Sequence, residues 1–291
     1  MSELKEKAQA LLAEKPELAQ YRDKIIVIKY GGNAMVNEEL KAAVLQDVVM
    51  LKELGMKPVL AHGGGPGINR LLKQLDIPVR FINGLRYTSE EIMRAVSMVL
   101  IGEVGSELVS LLQKYGGNAV GLSGLSGGMF RCVKRQAEED LGLVGEIVEA
   151  DPKVVQTMLD AGYIPVVAPI GTDCSGTIFN INGDTAAGKL AGALGAEKLL
   201  LLTDIEGLCN SIELHDVISY LNVADAGMLK EKGVISGGMI PKVDCCLEAI
   251  EAGTASVQII DGRQPHIIFD AMTKENIGTT IGTEKPSVGI K

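Results

Sequence analysis

The sequence predicts an α/β protein with a mainly parallel sheet and crossover helices. Two observations carry that class. Short apolar runs alternate with longer segments of helical period along most of the chain. Two of the runs, Ile25-Ile-Val-Ile-Lys29-Tyr-Gly31-Gly32 and Val59-Leu-Ala-His62-Gly63-Gly64-Gly65-Pro66-Gly67, stop at glycine clusters. Glycines leave backbone N–H groups open to close approach by an anion, so these junctions read as a site for phosphate or carboxylate chemistry.

The elements follow in order. Leu4, Ala8, Leu11, Leu12 and Leu18 keep near-helical spacing around Pro16, which predicts an amphipathic helical arm over 3–19 with a break at the proline. Strand 25–30, helix 38–54, strand 57–61 and helix 67–75 come next, then helices over 89–114 behind the capping signal Thr88-Ser-Glu-Glu. Residues 119–148 interrupt the rhythm with short strands and glycine pairs, which predicts hairpins over the mouth of a site. Alternation resumes with helix 152–161, strands 164–169 and 178–181, helix 185–194, strand 199–202, helices 223–232 and 240–252, and strand 256–260. No repeat or low-complexity linker intervenes. The division drawn from this pattern is an extension over 1–20, an N-terminal lobe over 21–184 and a C-terminal lobe over 185–291.

The 291 residues, 46% apolar, suffice for a sizeable core, while the net charge of −9 without any basic run argues against nucleic acid or a membrane surface as partner. At 3% aromatic content the chain also lacks stacking platforms for single strands. Five scattered cysteines without C-x-x-C spacing indicate neither a disulfide framework nor a zinc site, so no metal ligand is assigned and a reducing cytoplasm is expected. The charged N-terminus does not read as a signal peptide, and no uninterrupted apolar stretch approaches a membrane span.

Three motifs fail. Gly183-Asp-Thr-Ala-Ala-Gly188-Lys189 begins like a P-loop, but Leu190 stands where Ser or Thr must bind magnesium, so it reads as a helix start capped by Asp184. Gly124-Leu-Ser126-Gly-Gly matches a nucleophile elbow but leads into a strand-like run instead of a helix. No glycine cluster aligns as G-x-G-x-x-G.

What remains is a set of polar residues at strand ends. Lys29 follows an apolar strand and adjoins Gly31 and Gly32, which favours a ligand-facing ammonium over a solvated one. His62 reads as a structural hydrogen-bonding residue, with a general base as the alternative. Gly63, Gly64 and Gly65 feed a helix N-terminus suited to an anion. Arg86 in Asn83-Gly-Leu-Arg-Tyr-Thr suits bidentate carboxylate recognition, with a surface arginine as the plain alternative. Asn180 and Asn182 share a strand face just before Asp184. Leu202-Thr203-Asp204-Ile-Glu-Gly207 is another polar strand end, and Ser236-Gly237-Gly238-Met239-Ile-Pro-Lys242 is a turn leading to a helix with a second lysine.

Taken in order, these segments resemble the N-acetylglutamate kinases of the amino-acid kinase family, over about residues 24–283. The resemblance implies a three-layer αβα sandwich in two lobes. It implies transfer of the γ-phosphoryl of ATP to the side-chain carboxylate of N-acetyl-L-glutamate, in arginine biosynthesis. Lys29 and Lys242 would stabilise the transferring group and Asp184 would orient them; Gly32, Gly64, Gly65, Arg86, Asn180 and Asn182 would bind substrate. Gly31, Thr203, Asp204, Gly207, Ser236, Gly237, Gly238 and Met239 would bind ATP, with Mg2+ held mainly through the phosphates. The N-terminal arm and the ending from Asp261 through His266 to Ile277-Gly278-Thr279 resemble those of arginine-sensitive members, which implies homodimers joined into a homohexamer and inhibition by L-arginine with His266 and Gly278 as contacts; the sequence does not fix whether a nitrogen-signalling protein docks on the oligomer, as happens in some photosynthetic relatives. The rivals are a sister kinase for glutamate, aspartate or carbamate, and a non-catalytic nucleotide-gated amino-acid sensor.

Overall fold

The most apolar runs of the chain become its buried strands. The structure, a computed structural model, describes residues 2–211, 216–274 and 276–290. Helix α1 (Ser2–Glu14) ends before Pro16, which starts a 3-10 turn over Pro16–Tyr21. Then come β1 (Ile25–Tyr30), α2 (Glu38–Glu53), β2 (Lys57–His62), α3 (Gly65–Gln74), β3 (Phe81–Ile82), β4 (Leu85–Arg86), α4 (Glu90–Ser97), a π-helical segment Met98–Gly105 and α5 (Ser106–Lys114). The middle of the chain holds β5 (Ala119–Ser123), β6 (Phe130–Lys134), β7 (Gly145–Ala150), α6 (Lys153–Asp160), β8 (Ile164–Ala168), β9 (Ile170–Thr172), β10 (Ile178–Asn180) and α7 (Gly183–Ala193). The rest is β11 (Lys198–Thr203), β12 (Cys209–Ser211), β13 (Asp216–Val217), β14 (Tyr220–Asn222), α8 (Ala226–Glu231), α9 (Met239–Glu251), β15 (Ser256–Asp261), α10 (Ile267–Thr273) and β16 (Thr279–Gly282).

Eight strands form one sheet in the order β14-β16-β15-β11-β1-β2-β8-β5. From β15 to β5 every pairing is parallel, and only β16 runs antiparallel to its neighbour β15. Because side chains alternate across a strand, the two faces build separate cores. Ile26, Ile28, Leu60, Val166, Leu200 and Leu202 pack on one side against α2, α3, α4, α5 and α10. Val27, Val59, Val167, Leu199, Leu201 and Ile259 pack on the other against α6, α7, α8 and α9. The expected three-layer αβα sandwich is therefore present, and the sheet continues unbroken across residue 185 through the β1–β11 pairing.

Several expectations need correction. Residues 119–123 are not part of a hairpin: β5 pairs in parallel with β8 at the sheet edge, and only β6 and β7 form the hairpin, within a second sheet ordered β10-β9-β6-β7. Helix α7 is capped by Asn182, whose Oδ1 accepts from Asp184 N at 2.9 Å and Thr185 N at 3.1 Å, so Asp184 lies inside the first turn. Strand β10 ends at Asn180, which leaves Asn180 on a strand and Asn182 on a helix cap. Helix α3 begins two residues earlier than expected, at Gly65. The helical stretch over Glu90–Lys114 is, at 25 residues, long and apolar enough to cross a membrane by length and composition. It is a core helix here, since Ile92, Val96, Leu100, Leu108 and Leu112 are all buried against the sheet.

The rejected P-loop segment has a packing role. A Cβ on Gly188 would sit 2.7 Å from Cys245 Sγ, and one on Gly192 would sit 2.4 Å from Ala252 Cβ, so bare glycine edges let α7 and α9 meet closely. Gly227, in α8, has open space around it. We expect Gly188→Val to cost about 1–3 kcal/mol through overpacking, and Gly227→Ala to be neutral or stabilising by up to about 1 kcal/mol. Denaturant titration of both variants checks this, and equal stabilities would contradict it.

Candidate active site

Strand β1 lies where chain order reverses, with β2 on one side and β11 on the other, and such switch points open a crevice beyond the carboxyl ends of the strands. Lys29 sits at that end of β1 on the face covered by α7. Its Nζ lies 2.9 Å from Asp184 Oδ1, and Lys242 Nζ, from the first turn of α9, donates to Asp184 Oδ2 at 2.6 Å. One carboxylate thus holds two ammonium groups from elements more than two hundred residues apart in sequence. Burial pushes the Asp184 carboxyl up, but the charges of Lys29 and Lys242 outweigh it and hold the group well below the usual carboxylate range. With Asp184 ionised, two lysines around one carboxylate give the cluster a formal charge of plus one.

Glycines make room for it. A Cβ on Gly31 would lie 2.9 Å from Lys29 Nζ, which folds back over that residue, and Gly32, at φ 69°, would bring a Cβ to 3.0 Å from Asp204 Oδ2. An open cleft of about 310 Å³ joins Lys29, Gly31, Gly32, Gly64, Gly65, Arg86, Asn180, Asn182 and Asp184. No backbone acceptor engages the N–H of Gly64 or Gly65 among the described residues. Helix α3 starts directly there and adds the positive end of its dipole.

Arg86 closes the far end. It is carried by the β3–β4 hairpin, whose turn residues Asn83 and Gly84 both take positive φ. Its guanidinium stacks 4.8 Å from the centroid of the exposed Phe81 ring and donates from Nη2 to Asn69 Oδ1 at 2.7 Å. Nη1 is buried without a partner among the described residues. A cationic nitrogen in that state is poised for an anion. Thr88 Oγ1 donates to the Arg86 carbonyl at 2.8 Å and accepts from Asn180 Nδ2 at 3.1 Å, which ties the hairpin to β10. Asn69 lies in no motif and Thr88 reads in sequence only as part of a helix-capping signal, so sequence reasoning gives neither a part in the site.

The remaining candidates lie around or beyond this cleft. Thr203 ends β11 with its hydroxyl bonded to the Ile205 carbonyl at 3.1 Å, and Asp204 faces Gly32. Ser236 and Gly237 form the turn into α9, with Gly238 at its cap and Met239 as its first residue, just ahead of Lys242. Gly207 packs against Thr279, where a Cβ would meet Oγ1 at 2.7 Å. His266 and Gly278 do not line the cleft. His266 caps α10 at φ 57°, its Nδ1 2.6 Å from Asp47 Oδ1, and Gly278 takes φ 63° over the Ile259 carbonyl.

Residues 24–261 match the Amino acid kinase family. The chain belongs to the amino acid kinase family. Its relatives of 45–47% identity, similar over nearly their full lengths, are kinases, and the chain is a kinase. The acetylglutamate kinase of Heliobacterium modesticaldum is 47% identical over 288 residues, covering 95% of this chain and 98% of the relative. That of Caldanaerobacter subterraneus subsp. tengcongensis is 46% identical, covering 96% and 94%. Among solved structures, N-acetylglutamate synthase from Neisseria gonorrhoeae, complexed with coenzyme A and N-acetyl-glutamate, superposes with TM-score 0.80 at 25% identity over 93% of this chain, which spans 62% of that one. Carbamate kinase from Giardia lamblia bound to AMP-PNP shares the fold with TM-score 0.65 at 19% identity, covering 90% and 99%.

Burial of the Asp47 carboxyl gives this kinase a pH-dependent stability component. Burial pushes the Asp47 carboxyl up to about 6, with the His266 contact pulling the other way. Its value in an unfolded chain is about 3.9, so the folded protein takes up this proton at higher pH than the unfolded one. The contribution is fully present below about pH 4 and is lost as pH rises through about 6. Denaturant titrations across this window should show the wild type losing stability relative to Asp47→Asn as pH rises. Parallel curves would contradict the assignment.

Proposed function

We propose that this kinase transfers the γ-phosphoryl of ATP to the side-chain carboxylate of N-acetyl-L-glutamate, as a step of arginine biosynthesis. The observation that carries the reading is the pair of lysines held by Asp184 beside a cleft whose far end presents the unpaired Arg86 Nη1. A carboxylate is already a nucleophile, so no general base is required, and the work reduces to placing two anions in line and neutralising charge. One carboxylate oxygen bonds to the γ-phosphorus, the bond to the β–γ bridging oxygen breaks, and ADP leaves with those electrons. Lys29 and Lys242 stabilise the phosphoryl oxygens from opposite sides, and Asp184 fixes where both ammonium groups stand.

Arg86 would pair with the α-carboxylate, Gly32, Gly64 and Gly65 would offer backbone contact, and Asn180 and Asn182 would hold the acetamido end. The N-terminal lobe, 21–184, would then bind the amino acid, and the C-terminal lobe, 185–291, the nucleotide, along Gly31, Thr203, Asp204, Gly207 and Ser236–Met239. Mg2+ supplies charge neutralisation on the phosphates. The ion would be held mainly by phosphate oxygens and water.

Inhibition by L-arginine and assembly of dimers into a hexamer through residues 1–20 belong to the same reading. Lys198 supports the former. It is buried, donates to Gln258 Oε1 at 3.0 Å and pairs with no carboxylate among the described residues, while Gln258 in turn donates to the Ile277 carbonyl at 2.7 Å beside Gly278. A buried ammonium without a counter-ion suits a ligand carboxylate.

The test is ATP- and magnesium-dependent acyl phosphate formation trapped with hydroxylamine, comparing N-acetyl-L-glutamate with glutamate, aspartate, and bicarbonate plus ammonia. Turnover on N-acetylglutamate alone is expected, suppressed by L-arginine; silence on it, or preference for another acceptor, would overturn the reading. Lys29→Met and Lys242→Met should each lower kcat on the order of 10²–10³-fold. Arg86→Ala should chiefly raise KM for N-acetylglutamate and leave that for ATP unchanged. An equal rise in both constants would contradict the place given to Arg86.

A further inference from the structure

His62 is a buried titratable side chain that the proposed chemistry does not use. It ends β2 at 1% exposure, with Nδ1 2.8 Å from the carbonyl oxygen of Gly63. A carbonyl only accepts, so Nδ1 carries the proton and Nε2 holds the lone pair. Nε2 is buried with no partner among the described residues, and a Cβ on Gly105 of the π-helical segment would stand 3.6 Å from it. Burial lowers the imidazole to about 4, which keeps it neutral near pH 7. An unpaired buried nitrogen is unfavourable, and an apolar side chain would avoid it. The polar contact that this side chain does make, to its own neighbour's carbonyl, is what remains to be accounted for.

That contact acts on the glycine loop. No peptide bond among the described residues is cis, so the C=O of Gly63 and the N–H of Gly64, which belong to one planar unit, point in opposite directions. With the carbonyl held at the His62 ring, the Gly64 N–H points away from that ring; Gly64 lines the cleft, and its N–H meets no backbone acceptor among the described residues. The preceding peptide is fixed as well, because Gly63 N donates to the Tyr30 carbonyl at 2.8 Å. Leu100 packs closely over the bare face of Gly64, where a Cβ would lie 2.5 Å from Leu100 Cδ2.

We propose that His62 is a positioning residue that holds the Gly63–Gly64 peptide with its N–H aimed into the cleft, as a preformed donor to the anions that meet there. The proposal rests on the kinase reading given above. His62 moves no proton in it and touches no reacting atom; what the role requires is a donor where Nδ1 stands.

The first test needs no turnover. The sequence holds three histidines, so the ring-nitrogen signals of His62 are identified by their loss in His62→Asn. Nitrogen-15 NMR at near-neutral pH should show a neutral ring protonated on Nδ1; protonation on Nε2 would overturn the proposal. The second test compares variants. Asparagine places its amide near the Nδ1 position and glutamine places it near Nε2, so His62→Asn should keep most of the wild-type kcat. His62→Gln and His62→Leu should lose on the order of ten- to a hundredfold in kcat, with KM for ATP unchanged. Equal kcat in the Asn and Gln variants would overturn the proposal, and that comparison stands even where the leucine variant fails to fold. An inactive wild type would count against the kinase reading instead, leaving the tautomer measurement to decide the His62 contact by itself.

Discussion

The site depends on a carboxylate that could not be buried alone. Asp184 sits where burial opposes its charge, and it stays ionised because Lys29 and Lys242 reach it from β1 and α9. Taking away the carboxylate would leave two neighbouring ammonium groups without their counter-ion, and breaking a buried ion pair typically costs about 3–5 kcal/mol. The arrangement therefore constrains three elements together: β1 in the middle of the sheet, the first turn of α7, and the first turn of α9. Two cations and one anion also leave an excess positive charge facing the cleft, which is what a transferring phosphoryl group requires.

Close packing keeps that geometry narrow. The bare faces of Gly188 and Gly192 bring α7 against α9, and Cys245, one turn beyond Lys242, donates to the Asp184 carbonyl at 2.9 Å. On the opposite wall, Gly31 and Gly64 leave room for Lys29 and Leu100 respectively. At the far end, Arg86 is set by Phe81, Asn69 and the Thr88–Asn180 contact and not by an opposing charge, so its own charge remains for a ligand. The cleft is thus cationic at both ends, although the chain as a whole carries a net charge of −9.

Much of this was legible in the sequence, for physical reasons that also explain the gaps. Strands such as Ile25–Tyr30 are buried on both faces, so their unbroken apolar runs announce them, and the polar residues that follow mark the ligand end of the sheet. The β3–β4 hairpin was missed although Asn83-Gly84 is a strong turn signal, because two-residue strands leave no alternation to read. In sequence Asp184 reads as a cap because Asn, Asp and Ser are near-equal in that role, and only the fold reveals that Asn182 performs it and frees the aspartate for the lysines. The pairing of Asp184 with Lys242 itself is set by tertiary contact, as is the link from Thr88 to Asn180, and no local pattern encodes either. The edge strand β5 was read as hairpin because its glycine and serine content resembles turn sequence.

The central claim is that Asp184 acts through the two lysines and not as an independent group. A double-mutant cycle on kcat with Asp184→Asn, Lys242→Met and the combined variant measures this directly. The account predicts strong non-additivity: once Lys242 is gone, the further loss on replacing Asp184 is much smaller than in the wild type. Additive losses would mean that Asp184 serves the reaction independently of Lys242, and would contradict the account.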